Sequence, residues 1–524
     1  MERVGACSGA RPFITTSRCS DGRTSRSWCG SGSSESSARW SALRPSSCVE
    51  GVKEKQKKVA VIGLGESGEA AARLALAKGA QVHVTDKHGT DSDGHDAIAA
   101  RGAALRDLGA DVRLGGHAVE EIARADTVVV SPGIPPGVPV LAALRARGVD
   151  WISEPEFAGR FIESPLTIVT GTNGKTTTAA LCAHLLCAGG VDAALGGNIG
   201  GGLGPPASAL ALVDPAPERM VMEMSSFQLA DIRDLTPDVG VMTNLGVDHM
   251  DRYESVDDYH SDKRRLFEAG DGHTTWVLNG DDPAVLAMAA PFPGTRLRFS
   301  LDEPLVPGAW LEEGRLMVDL GDTGTPCRVA DAGDVALLGR HNIANALAAL
   351  LAAIASGAAD ALLEPGAAAP ALSSFPPLPH RLEPVGAVGG VRWVNDSKAT
   401  NIAASASALR SLDGPVVLLL GGTDKGEDFR GLLPSMRGRV RAVITYGAAG
   451  ERAAREIAEA APAFPVHRVD GPFEEVVAAG QELARRDDVL LLAPACSSFD
   501  MFDNYQRRGD AFRALARASA EAPA

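Results

Sequence analysis

The run Gly171-Thr172-Asn173-Gly174-Lys175-Thr176-Thr177 carries the groups that handle phosphate. Its glycines let backbone N–H groups turn toward phosphate oxygens, Lys175 can reach the β- and γ-phosphates, and Thr176 offers a hydroxyl oxygen to Mg²⁺. The usual phosphate loop has a glycine five residues before the second one. Here Val169 stands at that position, and Gly171 opens the turn instead. A phosphate-bound metal needs more oxygen ligands. Glu223 follows the apolar run of "RMVMEM" (219–224), as a strand-end acid facing Mg²⁺ would. "GVDHMDRY" (246–253) groups Asp248, His249 and Asp251 just past the strand "VGVMTNL". Mg²⁺ prefers oxygen, so an imidazole ligand at a second site needs a further donor beside it.

More polar clusters follow apolar strands. "VNDSKATN" (394–401) holds Asn395, Asp396, Ser397, Lys398, Thr400 and Asn401. "LLLGGTDKGEDF" (418–429) places Lys425 beyond a glycine turn, and "APACSSFDMFDNYQRRGDAF" (493–512) adds Ser498 and Tyr505. A lysine at such a turn suits an anionic substrate. One cluster alone reads equally well as surface polarity, whereas three at the strand ends of one domain are harder to dismiss. An earlier turn, Gly63-Leu64-Gly65-Glu66-Ser67-Gly68, precedes Asp86 at the end of the next strand. That is the spacing of a dinucleotide fingerprint. By itself it admits NAD or FAD, another nucleotide diphosphate, or a turn used for packing. Ser131-Pro132-Gly133 makes a second turn at a strand end.

The elements that must position these residues alternate strand and helix. Of 524 residues, 45% are hydrophobic, enough for several cores. The pattern predicts three α/β domains in series with mostly parallel sheets: 57–164, 165–375 and 376–524. Residues 1–56, rich in Ser, Arg and Gly, read as a disordered extension, either a transit peptide or the product of an upstream start. The net charge of −15 argues against a nucleic-acid partner. The alanine-rich stretch 345–363 is interrupted by Ser356, Gly357 and Asp360, so it is expected to pack as a helix rather than insert into a membrane. Four of the eight cysteines (Cys7, Cys19, Cys29, Cys48) lie in the first fifty residues. All eight are expected to be reduced thiols of a cytosolic protein.

Taken together, "GTNGKTT", "GGNIG" (196–200), "EMSSFQL" (223–229), "NLGVDHMDRY" (244–253), "GRHNIANALAA" (339–349), "LPHR" (378–381), "NDSKATN" and "PACSSFD" resemble the Mur ligases of bacterial cell-wall synthesis. The similarity runs from about residue 57 to 518. "NDSKATN" with "PACSSFD" and the opening "GLGESG" point to the branch that adds D-glutamate. The resemblance implies a Rossmann-like UDP domain, a phosphate-loop ATPase domain and a Rossmann-like C-terminal domain. It implies that ATP phosphorylates the carboxylate of UDP-N-acetylmuramoyl-L-alanine, and that the amine of D-glutamate attacks the acyl phosphate. A carboxylate is a poor electrophile, so its oxygen must first become part of a leaving group.

It also implies roles. Gly171 to Thr177, Asn342 and Asn345 bind ATP, with Arg381 and Asp396 reaching it from the third domain. Asn198 lies by the transferring phosphate. Thr176 and Glu223 hold one Mg²⁺, and His249 helps hold a second. Lys263 carries a carbamate, which turns a cation into an oxygen ligand. Asp262 beside it is expected to raise the amine's pKa and slow that modification. Lys398, Thr400, Lys425, Ser498 and Tyr505 bind D-glutamate. Ser67, Asp86, Lys87 and Ser131, Pro132 and Gly133 surround the UDP moiety. A cytoplasmic monomer whose third domain closes over ATP is expected. Rival readings are another amide ligase, a nicotinamide oxidoreductase built on the "GLGESG" domain, and a phosphate-loop switch without ligase chemistry.

Overall fold

The computed structural model describes residues 57–89, 96–200, 203–250, 252–321 and 325–521. The extension 1–56 and Asp251 lie outside them. The chain divides into two compact units between Phe157 and Ala158.

In the first unit, five parallel strands form a sheet in the order β3-β2-β1-β4-β5. They are β1 (Lys58–Ile62), β2 (Gln81–Asp86), β3 (Asp111–Leu114), β4 (Thr127–Val130) and β5 (Ile152–Ser153). The strand order reverses beside β1, which opens a crevice at the carboxyl ends of β1 and β4. The glycine turn leads from β1 into α1 (Glu66–Ala77), whose alanines and Leu74 face the core.

The second unit holds two sheets. The larger has nine strands in the order β14-β13-β12-β11-β10-β9-β6-β8-β7. Its parallel part comprises β6 (Leu166–Thr170), β7 (Ala193–Gly197), β8 (Arg219–Glu223), β9 (Val239–Met242), β10 (Thr275–Asn279) and β11 (Thr295–Ser300). The inner strands β6 and β9 are buried at every residue, because both faces are covered. β12 (Gly308–Glu312) still runs parallel to β11, and then β13 (Arg315–Asp319) and β14 (Cys327–Asp331) turn back antiparallel. α2 (Lys175–Ala188) packs on α4 (Arg340–Ala353) to form the core of this sheet. The helical stretch Arg340–Leu362, which includes α4, is long and apolar enough to cross a membrane by length and composition. Ala346 to Ala353 are nevertheless fully buried in the domain core, as the packed helix expected over 345–363 requires. Between α2 and α4 in sequence lies α3 (Val256–Glu268), which buries Tyr259, Lys263, Leu266 and Phe267.

The smaller sheet has the order β15-β16-β20-β17-β18-β19. β15 (Glu383–Val388) is antiparallel to β16 (Val391–Asn395). β17 (Val416–Gly421), β18 (Val440–Tyr446), β19 (Val466–Val469) and β20 (Val489–Leu492) are parallel. α5 (Ile402–Arg410), α6 (Gly450–Ala460) and α7 (Tyr505–Glu521) belong to this part. Cys182, Cys187, Cys327 and Cys496 are free thiols.

Candidate active site

The phosphate loop joins β6 to α2. Its two glycines sit at φ +141° (Gly171) and +83° (Gly174), where side chains are rarely tolerated. Space forbids a side chain as well. A Cβ on Gly171 would lie 2.0 Å from the Thr243 hydroxyl, and one on Gly174 would lie 2.3 Å from Asn345 Oδ1. Residues just past β9 lock the loop. Asn173 N–H donates to Asn244 Oδ1 at 2.9 Å, and the Thr243 hydroxyl donates to the Asn173 carbonyl at 2.6 Å. Lys175 curls over its own turn, with Nζ donating to the carbonyls of Gly171 (3.0 Å) and Thr172 (2.8 Å). Burial pushes its pKa down, while Glu223 and Asp248 pull it back.

The Thr176 hydroxyl donates to Glu223 Oε2 at 2.6 Å and accepts from Arg381 Nη2 at 2.7 Å. Asn198 Nδ2 reaches the other Glu223 oxygen at 3.4 Å, and Asn198 N–H donates to the Glu223 carbonyl at 2.8 Å. Asn345 donates to Asn342 at 2.9 Å, both in the first turns of α4.

Lys263 is buried on α3, and its Nζ donates to the Gly171 carbonyl at 2.7 Å. The Tyr259 ring lies 4.8 Å away, and the Tyr259 hydroxyl donates to Thr172 Oγ1 at 3.2 Å. Burial holds the Lys263 pKa well below the ordinary lysine value, and the Lys175 charge lowers it further. Asp248, Glu223 and Asp262 oppose this, Asp262 least. Asp262 thus has the expected raising effect on this amine, but burial outweighs it. The Asp262 carboxylate accepts from the Tyr253 hydroxyl at 2.9 Å. His249 adopts φ +58°, and its ring meets Phe227 edge-on at 4.9 Å and lies 6.4 Å from the Tyr259 ring.

From the smaller sheet come the remaining groups. Burial pushes the Asp396 carboxyl up to about 7, opposed by Arg381. Burial, with help from Arg381, pushes Lys398 down to about 7. Lys398 sits over the Tyr505 ring at 5.0 Å. Lys425 lies 3.4 Å from the Thr400 hydroxyl and 3.9 Å from Asp248 Oδ1. A lysine of the smaller sheet thus faces the acid next to His249 in the larger one. The arrangement can bind a nucleoside triphosphate and its metal through the loop, with an anionic amine donor held opposite.

Sequence models of three domains match the chain: "Mur ligase MurD-like, N-terminal domain" over residues 57–153, "Mur ligase middle domain" over 169–353 and "Mur ligase, glutamate ligase domain" over 380–496. The chain is also 38% identical over 464 residues to a protein of Acidobacterium capsulatum named UDP-N-acetylmuramoylalanine–D-glutamate ligase. That alignment covers 88% of this chain and 96% of the relative. The protein of the same name from Anaeromyxobacter dehalogenans is 40% identical over 477 residues, covering 88% and 98%. The chain belongs to the Mur ligase family. The crystal structure of the UDP-N-acetylmuramate-alanine ligase of Thermotoga maritima has the same fold. Its TM-score is 0.55 at 17% identity, covering 88% of this chain and 99% of that one.

In the first unit of this Mur ligase, Asp86 braces the glycine turn. Its carboxylate accepts from Leu64 N–H at 2.7 Å and from His88, and these bonds lower its pKa although burial works the other way. The Ser131 hydroxyl donates to the Gly63 carbonyl at 2.9 Å. Asp86, Ser131 and the turn are thus brought together, with Lys87 and Gly133 exposed beside them and Ser67 and Pro132 half-buried.

Several positioning groups of this Mur ligase went unread in the sequence. Thr243 and Asn244 fix the loop, and Tyr253 and Tyr259 hold the surroundings of Lys263. Arg508 is buried and donates to the carbonyls of Ser397 (2.9 Å), Cys496 (3.0 Å) and Ser497 (3.1 Å). It ties the Lys398 loop to the loop carrying Ser498, itself buried. A strand-end Thr-Asn pair next to the phosphate loop was the available signal for the first two. No local pattern marks the others.

Proposed function

We propose that this Mur ligase is an ATP-dependent ligase that joins D-glutamate to UDP-N-acetylmuramoyl-L-alanine through an acyl phosphate, in peptidoglycan precursor synthesis. The observation that carries this is the facing pair of sites within one unit. The phosphate loop with Thr176 and Glu223 stands on one side, and Lys425 with Thr400 beside Asp248 on the other. The names of relatives that align along nearly their whole length supply the substrates. The working domain division is 57–164 for the UDP-linked substrate, 165–375 for ATP and 376–524 for D-glutamate.

The loop Gly171–Thr177 and Lys175 hold the ATP phosphates, with Asn342 and Asn345 below the loop and Arg381 and Asp396 closing from the smaller sheet. Asn198 steadies Glu223 beside the transferring group. Lys398 and Lys425 neutralise the carboxylates of D-glutamate, with Thr400, Ser498 and Tyr505 orienting it. Phosphoryl transfer is chiefly alignment and charge neutralisation, which these groups provide. The α-amine of D-glutamate then attacks the acyl carbon, and phosphate leaves as the amide forms. Ser67, Asp86, Lys87 and Ser131 to Gly133 bind the UDP end.

The donors fit Mg²⁺ at one position, because Thr176 and Glu223 present oxygens in hydrogen-bond contact. At a second position, His249 and Lys263 fit only if Lys263 is carbamylated, and its buried amine with a depressed pKa is suited to that. Two bound Mg²⁺ ions would offset the charge on the transferring phosphoryl group. The protein is proposed to act as a cytoplasmic monomer, without a nucleic-acid partner or membrane insertion.

The test is phosphate release from ATP by the purified chain. Release that requires both D-glutamate and the UDP-linked alanyl sugar is expected. Release without either one, or with L-glutamate equally well, overturns the reading.

A further inference from the structure

The loop that carries Lys425 is held by a side chain outside the reaction scheme. Arg452 projects from α6, and its Nη2 donates to Asp424 Oδ1 at 2.6 Å and to the Glu427 carbonyl at 2.8 Å. Those two acceptors bracket Lys425 in sequence, one before it and one after. The guanidinium is itself fixed. Its Nη1 donates to Glu456 Oε1 at 2.8 Å, and its plane lies 4.7 Å from the Phe429 ring centre. Glu456 in turn accepts from Phe429 N–H at 3.0 Å.

The loop is also tied to its neighbours. Glu427 Oε2 accepts from Ile402 N–H at 3.1 Å, at the start of α5 and directly after Thr400 and Asn401. Thr423 and Ser497 exchange backbone hydrogen bonds at 2.8 and 3.0 Å, next to Ser498. The three segments bearing Lys425, Thr400 and Ser498 therefore share one frame, and Arg452 grips the part that carries Lys425. The grip has an electrostatic side. Asp424 is adjacent to Lys425 and could draw the ammonium group onto itself. With its carboxylate engaged by Arg452 and by Gly426 N–H at 2.6 Å, the ammonium is left to face Thr400 and Asp248.

We propose that Arg452 is a positioning residue that sets Lys425 for a carboxylate of the amino-acid substrate, through Asp424 and the Glu427 carbonyl. The proposal rests on the assignment of Lys425 and Thr400 to D-glutamate. A planar fork that holds Glu456 with one nitrogen and both loop acceptors with the other is a job for arginine that lysine does poorly.

The experiment is steady-state phosphate release by the full chain, with each of the three substrates varied in turn. Arg452→Met keeps a long apolar stem over Phe429 and removes the fork. It is expected to raise the KM for D-glutamate about tenfold while the KM values for ATP and the UDP-linked substrate, and kcat at saturating D-glutamate, stay within about twofold. Arg452→Lys should fall between this variant and the wild type. Should Arg452→Met fold poorly, Asp424→Asn serves instead. It retains an oxygen acceptor for Gly426 N–H, weakens the pairing with Arg452, and should raise the D-glutamate KM about threefold. An unchanged D-glutamate KM in these variants, or a parallel change for all three substrates, overturns the proposal. A wild-type enzyme that does not use D-glutamate, or Lys425→Ala with an unaltered D-glutamate KM, overturns the underlying assignment instead.

Discussion

The guanidinium of Arg381 donates to the hydroxyl of Thr176 across 2.7 Å, so the smaller sheet and the phosphate loop share a hydrogen bond. The Thr176 hydroxyl in turn donates a hydrogen bond to Glu223. On the proposed function, this puts Arg381 within reach of the place where phosphoryl charge develops. Arg381→Ala is expected to lower kcat by about 10²–10³, the usual cost of deleting one preorganised donor at developing charge. Arg381→Lys should recover little, because a point charge does not reproduce the fork. Rapid-quench measurement of phosphoryl transfer checks both.

On the proposed function, Lys425 is the cation offered to D-glutamate. Losing a charge-assisted hydrogen bond costs about 1.5–3 kcal/mol, so Lys425→Ala should raise the D-glutamate KM by about 10- to 100-fold. The KM for ATP should hardly move. Initial-rate kinetics with each substrate varied would show the contrast, and an unchanged D-glutamate KM would refute the role.

The depressed pKa of Lys263 makes a prediction with a sign. Only the neutral amine reacts with CO₂, and a lowered pKa keeps more of it neutral at any given pH. With ¹³C-bicarbonate, a carbamate resonance is expected near neutral pH, fading as the pH falls and the amine protonates. It should be absent in Lys263→Ala, whose activity should drop and be partly restored by a short added carboxylate. Full activity of Lys263→Ala would sink the carbamate.

His341 lies in the first turn of α4, with Nδ1 3.1 Å from the hydroxyl of Ser411, just past α5. Burial, followed by the charges of Arg381 and Arg410, pushes it down to about 4. Its folded pKa is below its unfolded one, so the unfolded chain takes up the proton first. The associated stability is whole above pH 6.5 and is lost as the pH falls from there through about 4, by at most on the order of 3 kcal/mol. Denaturant melts between pH 7 and 4 should show this fall, and His341→Gln should flatten it.

Gly171 admits no side chain. Gly171→Ala would place a methyl group 2.0 Å from the Thr243 hydroxyl at a φ of +141°. Nucleotide binding should be lost, with folding stability reduced by about 1–3 kcal/mol. Titration with a fluorescent ATP analogue, together with thermal melts, separates the two effects. Wild-type affinity in that variant would contradict the geometry.

The sequence disclosed what is local. Glycine turns between an apolar strand and a helix can be read one segment at a time, so the phosphate loop, the "GLGESG" turn and the strand-end clusters stood out. The family resemblance then carried the substrates. What stayed hidden depends on pairing across the chain. β12 to β14 lie at the sheet margin and show no regular alternation of buried and exposed residues, which gives a weak pattern. Asp262 was read from its neighbour in sequence, whereas on a helix adjacent side chains point apart and its partner is Tyr253. Arg508 acts on backbone carbonyls, which leave no mark in a sequence, and Arg452 acts on the Glu427 carbonyl and on Asp424, 28 residues before it.

The helix α4 has one end at the nucleotide loop, where Asn345 lies against Gly174, and its remaining length inside the core against α2. A volume change at Ala348 or Leu351 is expected to shift the helix, and on the proposed function its first turns belong to the ATP cradle. Heat tolerance and nucleotide affinity would then be set by one part. An engineer seeking a hardier enzyme through this core would be retuning its fuel intake at the same time.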